Sequence, residues 1–309
     1  MLDRVTGMQV FVRVAGLGGL SAAARSLAMS PTLVTKHVAA LEERLGVKLL
    51  YRTTRKVTLT EAGKRYLEGA ERILADVEEV EAATGADQID VRGILRANVP
   101  VSLGMREIAS LMPEFAQLHP SLTVELGLND RVVDLVEEGW DVAIRIGMLQ
   151  SSTLVARKLG PCRMIVCASP GYLRRHGAPA TVADLSRHPC LGYTLSRTMG
   201  IDAWAFGRAG DVVVPVTCAL RANNGDALVA AAVAGYGITY QPTFLVAEAL
   251  RSGGLVPLAL DHPGVATHDI FAVHPATRRP PAKVRAFIDF LVESFGPVPP
   301  WDRDLSPAA

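Results

Sequence analysis

The 309-residue chain is 49% hydrophobic and 20% charged, with a formal net charge of +1, and its length suggests two or three domains with sizeable cores. It has no apolar run of about 18 residues and no charged-then-apolar leader, which reads against a membrane span or signal peptide and for a cytoplasmic protein. Cys162, Cys167, Cys190 and Cys218 are scattered, with no Cys-x-x-Cys and no paired histidines; no metal or cofactor is expected, buried reduced thiols are the default, and a redox switch between two of them is the alternative.

Near neutrality hides two unlike parts. Residues 1–65 carry 11 Lys and Arg against 4 Asp and Glu, a balance of +7, while residues 66–309 carry 21 against 27, a balance of −6. The basic end is drawn to a polyanion, and that attraction should weaken with salt.

Arg4 and Arg13 bracket a mixed amphipathic helix. In the next helix Leu20, Ala23, Ala24 and Leu27 share one face, and Ser21 can cap its start. Ala28 to Ser30 make a tight turn. Ser30 is then an N-cap and Pro31 fits the first helical position. Val34, Val38, Leu41 and Leu45 form one buried stripe on the helix that follows. Thr32, Thr35, Lys36 and His37 point outward near its start. The spacing of Ala24, Ala28 and Val34 matches a helix-turn-helix, whose second helix enters the major groove; an ordinary helical hairpin is the competing reading. Ser21, Arg25, Ser30 and Leu33 complete the DNA-facing set on the two helices.

Residues 46–59 read as two short strands around a basic tip. Such a wing reaches phosphates or the minor groove with Arg52, Thr54, Arg55 and Lys56, the competing reading being a solvated basic turn. Thr60 can cap a long helix from about Glu61 to Ala83. Its residues Tyr66, Ala70, Ile73, Val77 and Val80 recur at steps of four and three, a coiled-coil seam that predicts dimerisation. Packing on the chain's own downstream domain is the competing reading. Gly85 to Gln88 mark a hinge.

From Gly93 onward strands and helices alternate, which predicts an α/β domain with a parallel or mixed sheet. Strands are expected at Ile94–Val99, Leu122–Leu128, Val142–Ile146, from near Arg163 to Ala168, Ile238–Tyr240 and Ile270–Val273. Helices are expected after a turn at Pro100-Val101-Ser102 through about Leu118 and over Val132–Glu138, Asp226–Ala234, Phe244–Ser252 and Ala282–Glu293. The tail 296–309, with four prolines, reads as disordered. No catalytic motif is visible, so an enzyme is not expected. Ser102 sits where a strand gives way to a helix start, suited to an anion. Arg145, alone among apolar strand positions, either pairs with a carboxylate of the protein or is available to a ligand carboxylate. Asn223 to Asp226 open a helix, most simply as a cap.

Several runs together resemble LysR-type transcriptional regulators over residues 3 to about 295. They are Phe11-Val12-Arg13-Val14-Ala15 with Leu20-Ser21-Ala22-Ala23-Ala24, Leu41 to Val47, Arg52 to Gly63, and Asp134 to Gly147. Gly19-Leu20 departs from the family's usual Ser-Phe, and Ala28 from its common Gly.

The resemblance implies a winged helix-turn-helix over residues 1–60, a dimerising linker helix over 61–86, and an effector domain over 92–295. That domain would be two-lobed like type 2 periplasmic binding proteins, with lobe one at 92–163 and 268–295 and lobe two at 164–267. Carried over by position, Val101, Ser102, Arg145, Gly147, Tyr193, Thr194, Asn223, Asp226 and Pro242 would line its cleft; Tyr193 and Pro242 rest on the resemblance alone. The implied partners are double-stranded DNA with a partly palindromic operator, a small-molecule effector such as a carboxylate, further copies of the chain as dimer or tetramer, and RNA polymerase. A cysteine-based redox sensor of the same architecture is one competitor. A solute-binding or enzymatic protein with a helical appendage is the other.

Overall fold

A computed structural model describes residues 3–52, 57–84, 91–147, 153–195, 201–266, 268–276 and 280–305. The chain divides into two units, Met1–Asp90 and Val91–Ala309.

The first unit holds α1 (Arg4–Leu17), α2 (Leu20–Ser26), α3 (Pro31–Leu45), the hairpin β1 (Leu50–Arg52) and β2 (Val57–Leu59), and α4 (Glu61–Thr84). Its starts and stops are local chemistry. Asp3 caps α1 by accepting from the Thr6 N–H at 2.9 Å, and Ser30 caps α3 by accepting from Leu33 at 3.2 Å, with Pro31 next. The turn between α2 and α3 places Ala28 at φ +52°, the left-handed region where a Cβ is strained. Val10, Phe11, Val14, Ala23, Ala24, Val34, Val38 and Leu41 form the core.

Helix α4 packs the first part of the expected seam within its own unit. Tyr66 packs edge-on against Phe11 of α1, ring centroids 5.4 Å apart, and Ala70 is buried. These first turns belong to the unit's own core, because a seam facing the chain itself has the same periodicity as one facing a partner. Ile73 is exposed and Val77 half-buried; the side chain of Val80 lies outside the described residues.

The second unit is built on two five-stranded sheets. Its strands are β3 (Gly93–Val99), β4 (Leu122–Leu128), β5 (Val142–Ile146), β6 (Leu154–Pro161), β7 (Met164–Ala168), β8 (Pro189–Tyr193), β9 (Ala203–Phe206), β10 (Val212–Pro215), β11 (Thr217–Ala222), β12 (Ile238–Pro242), β13 (Val256–Pro257) and β14 (Asp269–Pro275). One sheet runs β4-β3-β5-β14-β6 and the other β11-β8-β12-β7-β13, while β9 and β10 pair by themselves. In the first, β3 is parallel to β4 and β5 and β14 is antiparallel to its neighbours; in the second, β8 is parallel to β11 and β12. The chain crosses between the sheets through Cys162 and Arg163, and returns before β14. One apolar cluster runs through both lobes, from Leu95, Val99, Phe115 and Phe287 to Leu191, Leu228 and Phe244.

The helices are α5 (Val101–Leu103), α6 (Met112–Leu118), α7 (Pro170–His176), α8 (Gly225–Val233), α9 (Thr243–Arg251) and α10 (Ala282–Phe295). Between α5 and α6 the helical path widens to a π turn at Gly104–Ile108 and tightens to a 3-10 turn at Ala109–Leu111. Pro113 fits the tightened turn at Ala109–Leu111, since it lacks an N–H and its ring crowds the Ala109 carbonyl.

Two further expectations are corrected. Val132–Glu138 is a series of turns and not a helix: Asp134 Oδ1 accepts from the N–H groups of Val136 and Glu137 at 2.9 and 3.0 Å. A side chain competing in this way for backbone donors closes one turn and stops there. Residues 296–305 of the tail are ordered. Pro300–Asp302 form a 3-10 turn in which Trp301 is 3% exposed, seated against Phe295 and Phe244. Arg251 donates to the Trp301 carbonyl at 3.0 Å, and Arg163 pairs with Asp302 at 3.4 Å. Proline-rich composition hid a single aromatic anchor.

Candidate DNA-reading surface and effector cleft

Helix α3 presents an open face. Thr32, Leu33 and Lys36 are exposed, as are Ser30 at its cap and Ser21 and Arg25 on α2. Thr35 is half-buried and donates its hydroxyl hydrogen to the Pro31 carbonyl at 2.8 Å, leaving that oxygen as an acceptor. His37 corrects the outward set: it is 6% exposed. Three residues from Val34 and four from Leu41, it falls on the inner stripe. In the wing, Leu50, Tyr51 and Arg52 pair with Leu59, Thr58 and Val57. The Arg52 side chain and residues 53–56, which include Thr54, Arg55 and Lys56, lie outside the described residues. Tyr51, 63% exposed on β1, went unnoticed in the sequence, although an aromatic beside a basic tip was a usable signal.

The second candidate site forms where β3 ends. Two of the donors at its helix start are taken by carboxylates of the chain. The Val101 N–H donates to Asp130 Oδ1 at 2.9 Å, and the Ser102 hydroxyl to Asp226 Oδ2 at 2.5 Å. Asp226 is in the first turn of α8, so the Ser102 contact spans the two lobes. Arg106, one turn beyond Ser102, donates to Asp226 Oδ1 at 2.8 Å and reaches Glu248 of α9 at 3.6 Å. Burial raises the Asp130 carboxyl above its ordinary 3.8, the Val101 N–H opposes that, and the charge of Asp226 adds to it. The Tyr193 phenol is pushed up to about 12 by burial and by the charge of Asp130. Val101, Ser102, Tyr193 and Asp226 thus form one neighbourhood, joined by Asp130 and Arg106. Sequence reasoning missed those two because their partners lie 29 and 120 residues away.

The other expected cleft residues have different company. Arg145 donates to the Val133 carbonyl at 3.1 Å, holding down the turns over β5. Gly147 has φ +108°, and a Cβ there would touch the His268 ring. The Thr194 N–H extends the β8–β11 pairing to the Ala222 carbonyl. Asn223 is exposed; Asn224 caps α8 by accepting from Ala227 at 3.2 Å. Pro242 pairs with Met164 and precedes α9. A groove of about 430 Å³ includes Arg106, Glu248, Arg251 and Trp301, and a cavity of about 600 Å³ opens at the crossover beside Cys162, Met164, Phe206 and Val265.

Cys162, Cys167 and Cys190 are buried and Cys218 is half-buried, all four as free thiols. Burial pushes Cys167 and Cys190 up to about 12 and raises Cys162 and Cys218. Among the described residues no cluster of His, Cys, Asp and Glu is placed to hold a metal, and no single helix is long and apolar enough to cross a membrane.

Comparison with known proteins gives two family matches: a bacterial regulatory helix-turn-helix protein of the lysR family over residues 5–64, and a LysR substrate binding domain over residues 89–296. The chain is 38% identical over 286 residues to an HTH-type transcriptional regulator of Xanthomonas campestris pv. campestris, covering 92% of this chain and 83% of that one. It is 36% identical over 295 residues to the HTH-type transcriptional regulator DmlR of Escherichia coli, covering 95% of each. The solved structure of CrgA, a LysR-type transcriptional regulator from Neisseria meningitidis, matches at TM-score 0.60 and 34% identity, covering 94% of this chain and 99% of that one.

Proposed function

Since the chain belongs to the LysR family of transcriptional regulators, binds DNA through its helix-turn-helix and carries the family's substrate-binding domain, we propose that a small-molecule effector in the interlobe cleft sets its action on transcription. The observation that carries this reading is the Ser102–Asp226 contact across the two lobes. An anionic effector such as a small carboxylate enters by taking the Ser102 hydroxyl from Asp226, beside Tyr193. Exchange of one carboxylate for another alters the link between the lobes, and the effector shifts the protein only by the difference in its affinity for the two arrangements.

On this reading the exposed Thr32, Leu33 and Lys36 read base edges and phosphates in a partly palindromic operator, with the wing on the flanks. Two copies pair through Ile73 and Val77 of α4, and pairs assemble further on DNA. The regulated output is DNA bending or contact with RNA polymerase in the cytoplasm, and the protein has no catalytic role. The test is a thermal-shift and fluorescence titration of the full chain with malate, benzoate and 4-hydroxybenzoate, in wild type and Ser102→Ala. A shift in wild type that Ser102→Ala abolishes supports the cleft. Binding that Ser102→Ala leaves intact places it elsewhere.

A second reading rests on Cys190 and Cys218, which are paired in register on the parallel strands β8 and β11. A disulfide between them would make the protein a redox sensor. Their raised pKa values oppose it, because the thiolate is the reacting form. Full regulation by the Cys190→Ser, Cys218→Ser double variant under peroxide would remove this reading.

A further inference from the structure

Glu42 lies on the last turn of α3, with a side chain only 2% exposed. A carboxylate sealed in this way is costly unless each oxygen is paired. Oε1 accepts from the backbone N–H groups of Leu49 and Leu50 at 3.0 and 3.2 Å, and Oε2 accepts from Lys48 Nζ at 2.9 Å. Leu50 is the first residue of β1, so these bonds fix the root of the wing to the end of the recognition helix.

The same short segment is held from its other side by α4. The Thr60 hydroxyl donates to the Lys48 carbonyl at 2.8 Å and accepts from the Gly63 N–H at 2.9 Å, and the Thr60 N–H donates to the Leu49 carbonyl at 3.0 Å. Helix α4 approaches so closely that any Cβ on Gly63 would overlap the Leu49 carbonyl oxygen. Lys48 to Leu50 are thus a joint at which recognition helix, wing and linker helix meet.

We propose that Glu42 is a positioning residue for DNA reading, which sets the wing against α3 so that both engage the duplex at once. It touches no DNA itself. An apolar side chain of similar size would fill the space but leave two buried N–H groups without a partner, and the root of the wing would move to find water. The inference rests on the wing contacting DNA.

The experiment uses the full chain and a duplex from immediately upstream of its own gene. Affinity is measured from 50 to 300 mM KCl and the complex is mapped by hydroxyl-radical footprinting. Glu42→Leu is expected to weaken binding at least about tenfold at 150 mM salt. It should flatten the log–log salt slope by about 2, one phosphate contact per wing in a dimer. Flanking protection should disappear while the central protection stays. Glu42→Gln keeps an oxygen for Leu49 and Leu50 and is expected to restore slope and footprint. A folded Glu42→Leu with wild-type slope and footprint overturns the proposal, as does a Glu42→Gln that is equally impaired. If Glu42→Leu loses its cooperative unfolding transition, Thr60→Val reads the joint from the α4 side: a narrowed footprint supports the proposal and an unchanged one overturns it. Arg55→Ala separates the premise. If it too leaves slope and footprint unchanged, the wing does not touch DNA; if it alters them while the Glu42 variants do not, Glu42 has no positioning role.

Discussion

Ser102 donates its hydroxyl hydrogen to Asp226 across the two lobes at 2.5 Å, although the residues are 124 apart in sequence. Removing either side of the contact should loosen the lobes without disturbing the DNA-binding unit. Ser102→Ala and Asp226→Asn are each expected to abolish the response of a promoter fusion to added effector while DNA affinity stays within about twofold. Loss of both activities in Asp226→Asn would mark it as a folding residue instead.

Lys36 is exposed on the reading face of α3. Lys36→Ala should weaken operator binding by roughly tenfold, about the worth of one good base or phosphate contact. A mobility-shift titration in which affinity and salt slope are both unchanged would remove Lys36 from the interface.

Ala28 holds φ +52° in the turn between α2 and α3. Glycine adopts that conformation without strain, so Ala28→Gly should stabilise the helix-turn-helix by about 1 kcal/mol, the lower end of the penalty for a Cβ there. Thermal unfolding of the fragment 1–90 and of the full chain checks this, and a lower melting temperature would contradict it.

The tail is fastened through Trp301, 3% exposed between Phe295 and Phe244. Trp301→Ala should cost about 3 kcal/mol in the effector domain, as deletion of a buried indole does. Urea unfolding followed by near-ultraviolet circular dichroism would show it. A loss below about 0.5 kcal/mol would mean that the tail is dispensable.

Asp130 has its carboxyl raised above the ordinary 3.8 by burial and by Asp226. The folded chain therefore holds this proton more tightly than the unfolded one. Its contribution is fullest below pH 3.8 and is lost as pH rises through the folded value. Asp130→Asn keeps an acceptor for the Val101 N–H and removes the charge. It should raise stability at neutral pH and remove part of the decline above pH 4, measured by melting temperature from pH 4 to 8.

Local chemistry was legible in the sequence and distant pairing was not. Ser30, Pro31 and the stripe from Val34 to Leu41 define α3 within a dozen residues, and Thr60 marks the start of α4. His37 sits at the border of the stripe, where one step of 100° decides between solvent and core. Tyr66 and Ala70 show the period of a seam, but a period does not name the surface it meets. Val132, Val133, Leu135 and Val136 suggested a helix until Asp134 took the backbone donors for itself. Ser102 and Asp226 were each visible as candidates, yet nothing in their own neighbourhoods shows that they bind one another. Asp130, Arg106 and Glu42 act through contacts made only once the chain has folded.

The close seat of Gly63 on Leu49 has one more consequence. It denies α4 the freedom to turn about its own axis, so the direction in which Ile73 and Val77 point is set by counting residues from that seat. Inserting one residue between Gly63 and Ile73 would swing those side chains by about 100°, and inserting four would bring them back to within about 40°. Between the seat and Ile73, the length of α4 acts as a phase setting, and deletions or insertions there should matter more than substitutions.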